Sequence, residues 1–99
     1  MIQKVFTVFD AKAKAYLQPF FMPTTGMATR AFTDLCNDQN HMFNHHPEDY
    51  SLFEIAEYDD QTARYTENST FVPLGTGLEY KTQIEIPETQ LSLVQEQAS

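Results

Sequence analysis

The sequence lacks long apolar runs and has little cysteine and little positive charge. Its longest uninterrupted apolar run is three residues, which excludes a membrane-spanning helix. The opening MIQKVFTVFD has no apolar stretch followed by a small-residue cleavage site, so we expect no secretion signal. One cysteine, Cys36, cannot form an internal disulfide and does not require an oxidising compartment. At 99 residues, the chain has the length of one domain with one modest core.

Positive charge is scarce and unevenly placed. Six basic residues oppose fourteen acidic ones, which gives a formal net charge of −8. Residues 1–35 have four basic and two acidic residues, for +2, whereas residues 36–99 have two basic and twelve acidic residues, for −10. Broad binding to phosphates needs clustered Lys and Arg, so an anionic partner should bind the first third of the chain. The simpler interpretation is that the acids keep a small protein soluble.

The spacing of apolar residues predicts an α+β fold, with a small antiparallel sheet, one main helix packed on one face and a C-terminal hairpin. The prolines of 15–23 favour an edge strand, and Asp59-Asp60-Gln61 is typical of a tight turn. The predicted elements are a central strand at 2–9, an edge strand within 15–23, a helix at 25–39 and a hairpin of 50–58 with 62–67. We expect a polar loop at 41–49 and an ordered loop at 68–80.

The predicted helix supplies the expected core. Thr24 or Thr25 can cap its start, and one apolar stripe then comprises Ala28, Ala31, Phe32, Leu35 and Cys36. We expect residues 1–80 to form the domain and residues 81–99 to form a partly flexible tail. One helix can cover only one sheet face, so the other face should expose aromatic residues. A homodimer is a common way to bury such a face.

A cysteine–histidine cluster is the nearest approach to a metal site. Cys36, His41, His45 and His46 offer ligands that zinc prefers, but Pro47 argues against a helix that aligns them and Cys36 lies on the buried stripe. We therefore expect no metal, no cofactor and no reactive thiol. The carboxylate pairs Glu48/Asp49 and Glu54/Glu57 suggest a solvated rim. Leu-Gly-Thr-Gly at 74–77 is not expected to precede a helix or to bind phosphate. We do not expect the protein to be an enzyme.

One basic and aromatic neighbourhood stands out. Tyr16, Phe20 and Phe21 lie between Lys12/Lys14 and Arg30 in the sequence. Single-stranded nucleic acid is held by such mixtures, since bases stack on rings while cations follow phosphates. The candidate site residues for nucleic acid are Lys12, Lys14, Tyr16 and Arg30. The alternative is that the rings belong to the core and the cations are merely exposed.

Four stretches, in order, resemble the small nonstructural protein of gokushoviruses, which are microviruses with circular single-stranded DNA. They are KVFTVFDAKAKAYLQPFF, GMATRAFTDLCND, HPEDYSLFEIAEYDD and LGTG, and together they cover roughly residues 4–80. The resemblance implies a nonstructural accessory protein that acts in the host cytoplasm in genome replication or packaging.

Two functions are compatible with this resemblance. The first is weak binding of single-stranded DNA through the first third of the chain. The second is a protein-interaction module that docks on the phage replication initiator or on a host replication protein. DNA binding should depend on salt, whereas docking should use an apolar sheet face or the acidic part of the chain.

Overall fold

A computed structural model describes residues 1–83, which form a five-stranded antiparallel sheet with helices on one face. The strands pair in the order β2–β1–β4–β5, and β3 pairs with β1 alongside β2. The elements are β1 (Ile2–Asp10), β2 (Ala15–Tyr16), β3 (Phe20–Met22), α1 (Thr25–Cys36), α2 (Met42–His45), a 3-10 helix (Pro47–Asp49), β4 (Tyr50–Asp59), β5 (Arg64–Thr76) and α3 (Gly77–Gln83). The predicted α+β class is confirmed.

The two central strands, β1 and β4, carry apolar residues on both faces of the sheet. Residues 5–8 of β1 are all buried, which confirms the predicted central strand. Phe6 and Val8 point towards the helices, where Val8 lies opposite Leu52 of β4. Val5 points to the other face and lies opposite Ala56. Ile55 is left without a partner in the register between β1 and β4, so it forms a bulge in β4.

Helix α1 begins and packs as its sequence predicts, but it ends earlier. Thr24 is the cap, and its Oγ1 accepts a hydrogen bond from the Met27 N–H at 3.1 Å. Phe32 and Cys36 are buried in the core with Ala28. The helix ends at Cys36, three residues before the predicted end, because Asn37 bonds back to the carbonyl oxygen of residue 33. Leu35 was predicted in the core, yet it is 36% exposed.

The predicted hairpin is confirmed, and its second strand is longer than expected. The Asp59 carboxylate accepts a hydrogen bond from the Gln61 N–H at 2.9 Å, and Ala63 takes a left-handed backbone conformation that completes the turn. The second strand continues to Thr76, because 64–67 and 72–76 both pair with β4 on either side of a bulge at residues 68–71, with a smaller irregularity at residue 74. The prediction of a loop at 68–80 is therefore wrong.

Two predicted loops contain helices. Within 41–49, α2 buries Phe43 and the 3-10 helix buries Pro47. The polar composition of the stretch predicted a loop, because only these two of its side chains are buried. After β5, Gly77 begins α3 and lies so close to Pro47 that a Cβ would meet its carbonyl oxygen at 2.6 Å. Tyr80 of α3 then packs on Phe32, with ring centroids 5.5 Å apart. Helix α3 runs through the expected domain boundary at residue 80, and the part of the predicted tail at 84–99 lies outside the described residues.

We expect Phe32→Ala to lower the free energy of unfolding by about 3–5 kcal/mol, because it empties a core position that is 2% exposed. Leu35→Ala on the same helix is the matched control, and its cost should be about 1 kcal/mol because much of that side chain already contacts water. Urea denaturation of dilute protein measures both values. Equal losses in the two variants would contradict the observed orientation of α1.

Candidate functional site

The sheet face opposite the helices carries a set of aromatic side chains, which we call the aromatic face. All three helices contribute to the core on the other side, around Phe6 and Leu52, through residues such as Phe32, Phe43 and Tyr80. The aromatic face comprises Phe9, Tyr16, Phe21, Phe53, Tyr58 and Phe71. The expectation that the uncovered side of the sheet exposes aromatic residues is confirmed.

Tyr16 lies at the centre of the larger ring cluster. Its ring centroid lies 4.8 Å from that of Phe9, 6.1 Å from that of Phe53 and 6.2 Å from that of Phe71. Tyr16 is nevertheless 51% exposed and Phe71 is 43% exposed. The rings therefore support one another while their outer surfaces remain open, which is the arrangement that base stacking requires.

A second ring pair lies further along the same face. Phe21 of β3 and Tyr58 of β4 meet edge to face, with centroids 5.4 Å apart, and Phe21 is 48% exposed. In the sheet register, Phe21 lies opposite Val5 and Tyr16 lies opposite Phe9. These positions are four residues apart on β1, or about 13 Å along the strand. The face thus offers two separated aromatic surfaces.

The central strands place no charged side chain on the aromatic face. On β1 and β4 the residues of this face are Gln3, Val5, Thr7, Phe9, Ser51, Phe53, Ala56 and Tyr58. All five charged residues of these two strands point to the helix side, where Lys4 pairs with Glu54 at 3.4 Å and with Glu57 at 3.9 Å. The neighbouring strands add acids to this face, since the exposed Glu67 of β5 lies opposite Ala56 and Asp60 borders the pair of Phe21 and Tyr58. The uncharged part is therefore the part that β1 and β4 form around Phe9 and Phe53.

The sheet holds Tyr16 in place through several local contacts. The Thr7 hydroxyl donates to the Leu17 carbonyl oxygen at 2.7 Å, and the Leu17 N–H donates to the Val8 carbonyl oxygen at 2.8 Å. The two residues of β2 also pair with the end of β1. A short edge strand therefore carries the most exposed ring of the cluster on a rigid support.

Lys12 and Lys14 lie in the turn that leads to Tyr16. The Asp10 carboxylate organises this turn by accepting hydrogen bonds from the Lys12 and Ala13 N–H groups, at 3.0 and 3.2 Å. Lys14 has a φ of 57°, which reverses the chain into β2. Both lysines are exposed, and within residues 1–83 neither side chain has a hydrogen bond or ion pair. Lys12 also borders a depression that Asp10 and Asp49 line, so acidic residues lie near it.

Arg30 does not join the other three candidate site residues. It is exposed on α1, and α1 packs on the helix side of the sheet. Lys12 and Lys14 thus lie in the turn that enters β2 next to Tyr16, whereas Arg30 lies on the opposite side of the sheet. Phe20, which the sequence grouped with Tyr16, also faces the core, where it stacks on Phe6 with centroids 5.7 Å apart.

Sequence reasoning missed Phe9, Phe53 and Phe71 as neighbours of Tyr16. The alternation of β1 and β4 assigns Phe9 and Phe53 to one face, and a register between the strands would have joined them. Phe71 carries no comparable signal, because it lies in the irregular bulge of β5. Only the pairing of strands distant in sequence brings it to Tyr16.

The cysteine and the histidines of the candidate metal site have separate roles in the structure. His41 caps α2, since its Nδ1 accepts a hydrogen bond from the Phe43 N–H at 3.1 Å, and His45 Nε2 lies 2.7 Å from the Gln39 carbonyl oxygen. Cys36 is fully buried in the core. His46 instead lies near Glu48 and Asp49, whose ligand atoms are within 4.8 Å of one another on an accessible turn. Such solvated groups are common on protein surfaces and are not by themselves a metal site.

The glycines of the Leu-Gly-Thr-Gly stretch serve the backbone. Gly75 has a φ of 135°, which other residues rarely adopt, and Gly77 allows the close contact with Pro47. The expectation that no helix follows this stretch is wrong, because α3 begins at Gly77. The first turn of α3 carries the acidic Glu79. A phosphate would be poorly placed there.

Comparison with known proteins identifies a family. A family model described as Phage ORF5 protein matches residues 3–80 of the chain. Neither the curated proteins nor the solved structures provide a significant match. Within the described residues, none of the helices is long and apolar enough to cross a membrane.

We expect Cys36 to react slowly with thiol reagents in the native state. Burial raises the pKa of its thiol from 9.0 to about 11, an effect that the Lys81 charge only partly opposes, so little thiolate forms near neutral pH. Because the folded state retains the proton, this group should lower stability as pH rises from 9 towards 11. Labelling at pH 8 with and without denaturant measures the protection. Equal rates in both conditions would contradict the buried position.

Proposed function

The chain belongs to the Phage ORF5 protein family, and we propose that this phage protein is an accessory factor that binds single-stranded DNA through its aromatic face. In this proposal it acts in the replication or packaging of a single-stranded DNA genome, as its resemblance to the gokushovirus nonstructural protein implies. The observation that carries the proposal is the pair of open rings, Tyr16 and Phe71, on a face whose two central strands carry no charged side chain. The turn that enters β2 next to Tyr16 adds two exposed lysines.

The aromatic rings supply most of the binding in this proposal. Each base that stacks on an aromatic side chain contributes about 1–3 kcal/mol, largely independent of sequence. Tyr16 and Phe71 meet edge to face at 90°, so a base that stacks on one ring also contacts the edge of the other. The paired bases of a duplex cannot reach these rings, so the aromatic face should discriminate against double-stranded DNA.

The lysines provide orientation and a small electrostatic contribution. Lys12 and Lys14 precede Tyr16 by four and two residues, so a phosphate next to a base on Tyr16 lies within their reach. Two phosphate contacts give a logarithmic salt slope of about −1.4 on single strands. The acidic residues of the helix side and of the chain beyond residue 35 should repel additional phosphates, which keeps the binding weak.

The negative charge favours a second candidate function. A chain with a net charge of −8 is suited to dock on a basic surface of another protein, such as the phage replication initiator or a host replication protein. In that case the open rings would serve as apolar anchors at a protein interface. The two functions differ in their response to charge reversal at Lys12 and Lys14.

We expect Lys12→Glu/Lys14→Glu to abolish measurable binding to a labelled oligonucleotide of eight thymidines at low salt. The two introduced carboxylates would repel the phosphates that the lysines attract. Tyr16→Ala should weaken binding by about 1–3 kcal/mol through the loss of stacking. Fluorescence anisotropy at low and physiological salt measures both changes and the salt slope.

Two controls separate these effects from general ones. Tyr16→Phe retains the ring and should bind as the wild type does. Arg30→Glu, a charge reversal on the opposite side of the sheet, should leave the affinity for this short oligonucleotide unchanged. If no binding occurs at low salt, or if the lysine variant binds as well as the wild type, docking to a protein replaces DNA binding as the proposed function.

A further inference from the structure

A second apolar stripe runs along α1, next to the one that packs on the sheet. It consists of Met27, Ala31 and Leu35, at successive helical turns. Met27 is 47% exposed and Leu35 is 36% exposed. The large apolar side chains of Met27 and Leu35 therefore contact water, with the small Ala31 between them. Packing in the core does not explain why these two positions are apolar.

The stripe borders a cavity on the helix side of the sheet. Its volume is about 240 Å³, and its lining residues are all apolar, including Ala31, Leu35 and, from β3 and α2, Phe20, Met22 and Phe43. The lining also includes the buried Val8 of β1 and Phe32 of α1. An apolar side chain from outside could enter this cavity without burying a polar group.

The charged residues beside the stripe indicate what covers it. Arg30 and Asp34 are both exposed on the same side of α1, one turn apart, and neither forms an ion pair within residues 1–83. If a second α1 lies antiparallel with Ala31 against Ala31, Met27 of each helix is opposite Leu35 of the other. In the same arrangement Arg30 of each helix lies near Asp34 of the other. The surface is complementary to a reversed copy of itself, which is what a two-fold interface requires.

We propose that α1 forms the interface of a homodimer, in which the Met27–Ala31–Leu35 stripe packs antiparallel on the same stripe of a second copy. Ala31 lets the two helices approach closely, and the flexible Met27 side chain of each copy fills the cavity of the other. The two Arg30–Asp34 pairs fix the direction and register of the helices. The sequence suggested a dimer through the uncovered sheet face, whereas this interface lies on the helix side.

This dimer has a consequence for the aromatic face. Because the stripe and the aromatic face lie on different sides of the sheet, both aromatic faces of the dimer remain open. The proposal does not depend on DNA binding, but if each face binds a strand weakly, two linked sites bind a long strand more tightly than one.

Charge reversal at the interface tests the proposal. In sedimentation equilibrium at micromolar to high micromolar concentration, the wild type should reach twice the chain mass of 11.4 kDa. Arg30→Glu and Asp34→Arg should each weaken self-association by about tenfold, because each variant replaces two attractive pairs with two repulsive ones. An equimolar mixture of the two variants should restore the dimer. In the mixed dimer the introduced glutamate of one copy meets the introduced arginine of the other, and the native Asp34 of the first copy meets the native Arg30 of the second.

The controls keep each outcome decisive. Lys12→Glu changes the net charge by as much as Arg30→Glu but lies away from α1, so it should leave the dimer intact. Circular dichroism checks that each variant remains folded. A wild type that stays monomeric at high micromolar concentration overturns the proposal. A dimer that neither reversal weakens, or single variants that do not recover on mixing, would place the interface elsewhere and overturn it as well.

Discussion

Helix α1, with α2 and α3 beside it, covers only one face of the five-stranded sheet among the described residues, and the two faces of the molecule differ because of this constraint. Alternation along β1 and β4 puts Phe6, Val8 and Leu52 beneath the helix. The same alternation, reset in β4 by the bulge at Ile55, puts all five charged residues of these strands on the helix side. Glu54 is held there by Lys4 and by the Thr25 hydroxyl, which donates to it at 3.0 Å. On these two strands the other face is uncharged and rich in aromatic residues.

Periodicity made much of this architecture predictable from the sequence. The central strand, the helix with its Thr24 cap and the turn at Asp59 all depend on neighbours in the sequence, and each is present. The errors occur where tertiary contacts decide. Phe43 makes a helix of a polar stretch because its ring reaches the core, and the exposure of Leu35 depends on where α1 lies relative to β3.

The candidate site likewise combines residues that are close in sequence with residues that only strand pairing brings together. Lys12, Lys14 and Tyr16 are adjacent in sequence, so the sequence alone could group them. Arg30 was grouped with them by proximity along the chain, but a sheet separates it from Tyr16. Phe71 joins the site through β5, more than fifty residues from Tyr16, and only a known strand register could have placed it there. The proposed roles follow this geometry, since Tyr16 faces a ligand and Arg30 faces a second copy.

The most direct test of the central claim maps where a short thymidine oligonucleotide contacts the protein by nuclear magnetic resonance. If the aromatic face binds bases, titration should shift the ring signals of Tyr16, Phe53 and Phe71 and the backbone signals of Lys12 and Lys14. The signals of Ala28 and Phe32, on the buried side of α1, should stay in place. Shifts confined to α1 and α2, or no shifts at low salt, would contradict the account.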